Sequence, residues 1–222
     1  MIRHSFSFLV MAAVALPSAA GAADGAPAAA VTLYQQHCAS CHGADRLGGT
    51  GPALLPESLQ RLRRDAAATT ITLGRPATQM PGFGDLLSPA ETAALVELIY
   101  QPLAEPPSWS LEQMLASRII HTPTTELPAR PVHDADPLNL FTVVEAGDQH
   151  VTILDGDRFT PLWRFPSHYA LHGGAKYSPD GRFVYLGSRD GWVSKYDLYS
   201  LQPVAEIRAG INLRNIAVSA DG

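Results

Sequence analysis

"HYALHGGAKYSPDGRFVYLGSRDGWVSKYDL" spans His168–Leu198 and sets the architecture of the C-terminal half of the chain. Its runs "RFVYLGS" and "WVSKYDL" are rich in β-branched and aromatic residues. Pro-Asp-Gly and Asp-Gly turns set them off, which is the pattern of short antiparallel strands. The turn "YSPDG" (Tyr177–Gly181) recurs as "VSADG" (Val218–Gly222), 41 residues later. "GDQHVTILD" (Gly147–Asp155) likewise aligns with "RDGWVSKYD" (Arg189–Asp197), 42 residues later, and "LFTVVE" (Leu140–Glu145) adds a strand ahead of it. A period of about 40–45 residues with about four strands per unit is the signature of a β-propeller blade. Two copies cannot close a ring of about 4–8 blades, and the second ends on its own turn at Gly222. The sequence therefore reads as truncated within a longer propeller.

Upstream the pattern is helical. Val31–Cys41 reads as one helix and Ser58–Thr70 as a second, with Leu59 and Leu62 on one side. A third starts at Ser88, where Ser88, Pro89 and Glu91 form a capping box with proline at the first helical position. Three helices in so short a span have a thin core and need a staple. Between the two patterns lie Pro102, Pro106, Pro107, Pro123, Pro128, Pro131 and Pro137, with one short helix expected at Ser110–Arg118. The expected fold class is α + β multidomain: a signal peptide (1–22), an all-α unit (23–102), a Pro-rich linker (103–137) and the first blades of a propeller (138–222). Arg3, the apolar run Phe6–Leu16 and the Ala20-Gly21-Ala22 cleavage pattern carry the export reading, and a bacterial periplasm fits best. No later segment is long and apolar enough to span a membrane. With 16 Lys and Arg against 21 Asp and Glu, the net charge is −5 and no basic run exists to neutralise phosphates, which gives no reason to propose nucleic acid as a partner.

Both cysteines of the chain stand in "CASCH", Cys38–His42. In an exported protein C-x-x-C-H marks covalent attachment of a c-type heme. The thiols of Cys38 and Cys41 would form thioethers with the macrocycle, and His42 would ligate the iron. A thioredoxin-like motif would need a βαβ setting, and a zinc site a second pair of ligands; the sequence has neither. Methionine commonly fills the opposite axial position in electron carriers. Met80, in "TQMPGFG", lies in a loop held by Pro81 and Gly82 and free to reach iron, and is the expected sixth ligand. Met114 falls within the expected linker helix, and Met1 and Met11 fall in the export signal. Gly48, Gly49 and Gly51 either let backbone approach the heme edge or serve ordinary turns.

A c-type unit followed by such blades resembles the cytochrome cd1 nitrite reductase family, whose propeller holds heme d1. The likeness covers Val31–Gly222 and is most specific around His172. By that resemblance the N-terminal unit is a cytochrome c domain and His172 is the proximal ligand of a heme d1 iron. Gly173 and Gly174 leave room for the macrocycle. Arg189 in "GSRDG" and Arg214 in "NLRNIAVS" pair with its carboxylates. Arg182, within the Pro-Asp-Gly turn, reads as solvated, and His121, His133, His150 and His168 have no assigned partner.

The resemblance implies two cofactors, one covalent heme c and one non-covalent heme d1 or dihydro-heme d1. Two activities exist in the family. One oxidises a propionate of dihydro-heme d1 to an acrylate, passing electrons to heme c. The other reduces nitrite. Only fifteen residues (23–37) separate the expected cleavage point from Cys38, and their one tyrosine, Tyr34, falls on the first helix. That short lead and the wording "GTGPALLPESLQRL" (Gly49–Leu62) favour the oxidation. A reading of another class is a heme d1 binding or delivery protein whose heme c only relays electrons. The expected partners are the tetrapyrrole substrate, an external electron acceptor such as a small periplasmic redox protein, and nitrite reductase as recipient of the product. The proton acceptor is expected beyond Gly222.

Overall fold

The structure is a computed structural model that describes residues 28–222; the signal expected over 1–22 lies outside them. Five helices form the N-terminal unit: α1 (Ala28–His37), α2 (Ala39–His42), α3 (Pro56–Leu59), α4 (Arg64–Leu73) and α5 (Pro89–Tyr100). The Ser88–Glu91 capping box is present, with the Ser88 side chain accepting from Glu91 N and the Glu91 carboxylate accepting from Ser88 N. It starts the helix that supplies Leu95, Val96, Leu98 and Ile99 to the core, where they meet Ala30, Tyr34, Leu59 and Ile71. Buried Arg46 donates to the carbonyl of Leu98, satisfying the C-terminal end of α5 from the loop after Cys41.

The single helix expected over Ser58–Thr70 is two. Arg63 is extended (φ −74°, ψ 152°), and the Asp65 carboxylate accepts from the Arg63 guanidinium and from Ala66 N. Those bonds satisfy donors at a fresh helix start, so α4 begins anew instead of continuing α3.

The proline-rich segment contributes α6 (Leu111–Ala116), capped by Ser110 and Gln113, and β1 (Ile119–Ile120). Two antiparallel sheets follow. One has the order β2 (Leu140–Glu145), β3 (His150–Asp155), β4 (Pro161–Pro166). In the other, β5 (Lys176–Tyr177), β6 (Phe183–Gly187), β7 (Trp192–Asp197) and β8 (Gln202–Arg208) are neighbours in sequence order, and β1 pairs with β8 at the edge. One core draws on both sheets: Val151, Ile153 and Phe165 meet Val184, Leu186, Tyr196 and Leu198. Trp163, Phe165 and Tyr196 stack with centroids 4.0–5.7 Å apart.

The repeat has a physical basis. Asp155 and Asp197 end β3 and β7, 42 residues apart, and are 1% and 0% exposed. Each closes the following turn with its carboxylate: Asp155 accepts from Asp157 N and Arg158 N, Asp197 from Tyr199 N and Ser200 N. Each also binds an arginine, Arg158 or Arg182. Arg182 is therefore not the solvated turn residue expected. Its guanidinium lies 2.7 Å from Asp197 and also donates to Pro128 O, because a buried carboxylate needs a charged partner.

The unassigned histidines have partners too. His121 on the linker and His168 donate to the two oxygens of Glu206, both at 2.9 Å, and Ser194 Oγ donates to the same carboxylate. His133 bonds to Leu198 O and His150 to Asp148 O. Burial raises the Glu206 pKa, but the bonds from His168, His121 and Ser194 outweigh it and bring it from 4.5 to about 2. A depressed carboxylate stabilises the fold above its unfolded pKa, and that contribution is lost as pH falls through the folded value. Chemical denaturation between pH 7 and 2 should thus show stability falling from about 4.5 towards about 2. Glu206→Gln should be less stable at pH 7 and flatter across that window; an unchanged slope would assign the acid sensitivity elsewhere.

Candidate heme sites

Cys38 precedes α2, with its N–H on Tyr34 O (2.8 Å), and His42 N–H returns to Cys38 O (2.9 Å). Cys38, Cys41 and His42 thus sit at i, i+3 and i+4 of one helical turn and share a face. Both thiols are free; Cys41 is exposed and Cys38 half-buried. Burial, and secondarily the neighbouring Cys41, push the Cys38 thiol up to about 11. His42 is 7% exposed, and its Nδ1 lies 2.8 Å from Pro52 O. A carbonyl only accepts, so Nδ1 carries the proton and Nε2 keeps a lone pair. Burial lowers the His42 pKa against the opposing Pro52 bond, which favours the neutral ring a metal requires. Gly51 N donates to Cys41 O (2.7 Å), and a Cβ at Gly51 would lie 2.8 Å from the His42 ring. Gly51 therefore serves close approach to the imidazole.

The loop between α4 and α5 carries Met80. Its base is pinned to α4 by Phe83 N on Ile71 O and Gly84 N on Thr72 O. Inside it, Arg75 N donates to Met80 O (3.0 Å) and Met80 N to Thr78 Oγ1 (3.2 Å). Met80 is half-buried. Two unpaired thiols, a neutral imidazole with a free lone pair and a loop-borne thioether form a donor set that fits a c-type heme. Tyr34, 2% exposed, packs in the core and donates to Gly43 O.

The second cluster lies where the propeller meets this unit. His172 is exposed, and its Nδ1 is 2.5 Å from Arg214 O, so this ring too holds its proton on Nδ1. Gly173 (φ 82°) packs against Arg214 O and Asn215, leaving no space for a side chain. Arg189 is half-buried, and its Nε has no hydrogen-bond partner among the described residues. Burial lowers the Arg189 pKa, the charge of Arg214 lowers it further, and so does Arg75 from the Met80 loop. Tyr169, whose pKa burial raises, feels Arg189 and Arg75 as well. Arg75 is absent from the sequence-based set; only the meeting of the two units marks it. The Tyr169 phenol acts in the opposite direction, and no carboxylate is among the groups that shift Arg189. Like charges gathered without an acid partner suit an anionic ligand, and arginine pairs carboxylates bidentately.

Residues 135–222 match the family described as the cytochrome D1 heme domain, and residues 25–99 match subunit III of cbb3-type cytochrome c oxidase. The chain is 62% identical over 190 residues to dihydro-heme d1 dehydrogenase of Pseudomonas aeruginosa, covering 86% of this chain and 38% of that protein. It is 29% identical over 203 residues to nitrite reductase of Stutzerimonas stutzeri, covering 84% of this chain and 36% of that protein. A solved structure of dihydro-heme d1 dehydrogenase in complex with DHE superposes with a TM-score of 0.78 at 61% identity, covering 87% of this chain and 42% of that one. The chain thus spans well under half the length of these relatives. Its two-unit fold and these matches place it in the family of c-type cytochromes joined to a cytochrome D1 heme domain, to which it belongs.

Proposed function

We propose that this chain is part of an exported oxidoreductase that oxidises a propionate side chain of dihydro-heme d1 to an acrylate, releasing two protons and two electrons. The observation that carries this reading is the His172 cluster: an imidazole held with its Nε2 lone pair available, on the segment whose backbone pairs with that of Arg189, whose Nε is buried and unpartnered among the described residues. A tetrapyrrole bearing iron and several carboxylates matches both features. The 62% identity to dihydro-heme d1 dehydrogenase supports it and favours it over nitrite reduction.

In this reading His172 would ligate the tetrapyrrole iron, and Arg189, Arg214 and Arg75 would pair with its carboxylates and so orient the side chain to be oxidised. Cys38 and Cys41 would hold heme c, and His42 and Met80 would supply its iron ligands. Heme c supplies one-electron transfer, so an external acceptor, such as a small periplasmic redox protein, must take the electrons in two steps. The oxidised product would pass to nitrite reductase. The described residues contain no helix long and apolar enough to cross a membrane; export behind a cleaved signal at 1–22 rests on the sequence pattern there.

Supplying dihydro-heme d1 to the full-length protein should give the acrylate product with reduction of heme c. Nitrite turnover would assign the protein to the reductases instead, and tight binding without reaction to carriers. Arg189→Ala should weaken tetrapyrrole binding about 10- to 100-fold in a titration while leaving the heme c spectrum unchanged. Met80→Ala should remove the weak far-red absorption band of methionine-ligated ferric heme and lower the heme c potential; a persistent band would mean another sixth ligand.

A further inference from the structure

The turn between β2 and β3 leaves its sheet and reaches the N-terminal unit. At its end Gln149 has φ 61°, a left-handed conformation costly for a side chain of its kind. Its backbone is fixed from the propeller side: Ser167 N donates to Gln149 O (2.8 Å), and Arg164 grips Asp148 and Glu145. Its side chain points the other way. Nε2 donates to Thr50 O at 3.1 Å and to Gln79 Oε1 at 3.3 Å. Next to it, a Cβ at Gly147 would lie 3.3 Å from Ala77 O, so the turn lies close against the Met80 loop.

The two partners lie in two loops, each next to a different member of the candidate heme c donor set. Thr50 lies between Gly49 and Gly51 in the loop that shapes the His42 side, two residues before the carbonyl that holds His42 Nδ1. Gln79 immediately precedes Met80. One carboxamide from the propeller therefore ties the loop behind His42 to the loop bearing Met80. Moving the Met80 loop away from the His42 side breaks at least one of these hydrogen bonds.

We propose that Gln149 is a positioning residue for heme c, a clasp through which the propeller holds Met80 at the sixth ligand position. The proposal rests on the reading of His42 and Met80 as the axial ligands. Its consequence is functional because loss of a methionine ligand lowers the heme potential and makes heme c a poorer acceptor.

The test uses the full-length protein with heme c in the ferric state. Gln149→Gly and Gln149→Asn both accept a left-handed backbone, so the turn is kept while the reach to Thr50 and Gln79 is lost. Stopped-flow mixing with cyanide, which displaces methionine only when the loop opens, should give association about tenfold faster in both variants. The far-red methionine band should also vanish at a lower temperature. Rates and bands equal to those of the unmodified protein would overturn the inference. Faster binding in the glycine variant alone would also overturn it, since backbone freedom rather than the side-chain bonds would then be the cause. If the unmodified protein lacks the methionine band, the axial-ligand reading itself fails, and that is seen before any variant is compared.

Discussion

Two backbone carbonyls govern the chemistry available to this chain. Pro52 O takes the Nδ1 proton of His42, and Arg214 O takes that of His172. Each bond fixes both the tautomer and the ring orientation, and each leaves Nε2 as the nitrogen able to ligate iron. Neither carbonyl sits in regular secondary structure. Both are held by loops, so the fold around them has to be rigid for other reasons. For Pro52 the rigidity comes from the Gly48–Gly51 turn, closed by Gly51 N on Cys41 O and by the lack of a side chain against the imidazole. For Arg214 it comes from the N-terminal unit.

Residues 208–214 are the seam. Arg208 donates to Asp190 O within its sheet and to Leu47 O across the boundary, while Trp109 Nε1 donates to Arg208 O from the linker. Asn212 Nδ2 donates to Ser58 Oγ. The same stretch thus carries the carbonyl that orients His172 and the groups that attach the propeller to the N-terminal unit. Displacing the units would loosen the His172 ring without touching it. Gln149 acts in the opposite direction, from propeller to Met80 loop. The two sites are therefore mechanically joined by polar contacts that each run through a loop.

Much of this was legible from residue patterns. The C-x-x-C-H turn, both capping boxes and the strands bearing β-branched runs stand where their local chemistry puts them. β4 and β8 were missed because they contain proline. The structure shows why proline is tolerated: Pro161 and Pro203, again 42 residues apart, each pair beside a register shift, at Ile153/Leu154 and at Lys195/Tyr196. At a bulge the lost N–H costs no ladder bond, so a residue that argues against a strand instead marks the same point in both repeats. The split of α3 from α4 was invisible because it depends on an Arg63–Asp65 contact rather than on a breaking residue. The roles of His121, His168, Arg75 and Gln149 could not be read at all, since their partners lie about 38 to 99 residues away in sequence or across the unit boundary.

The arginine cluster also bears on selectivity. A buried Nε that finds no hydrogen-bond partner costs about 1–3 kcal/mol, and at Arg189 the charges of Arg214 and Arg75 act against the guanidinium while Tyr169 acts for it. Three segments, the Met80 loop, the β6–β7 turn and the seam, bring these like charges together. On the reading proposed above, a ligand carboxylate relieves the penalty only if it reaches Arg189. A tetrapyrrole lacking that carboxylate would leave the nitrogen unpaired and gain none of the relief. A site that needs a polar partner rejects an analogue without it far more strongly than an apolar pocket rejects a missing methylene. On that reading, the arrangement around Arg189 would discriminate among macrocycles of nearly the same shape by their carboxylates.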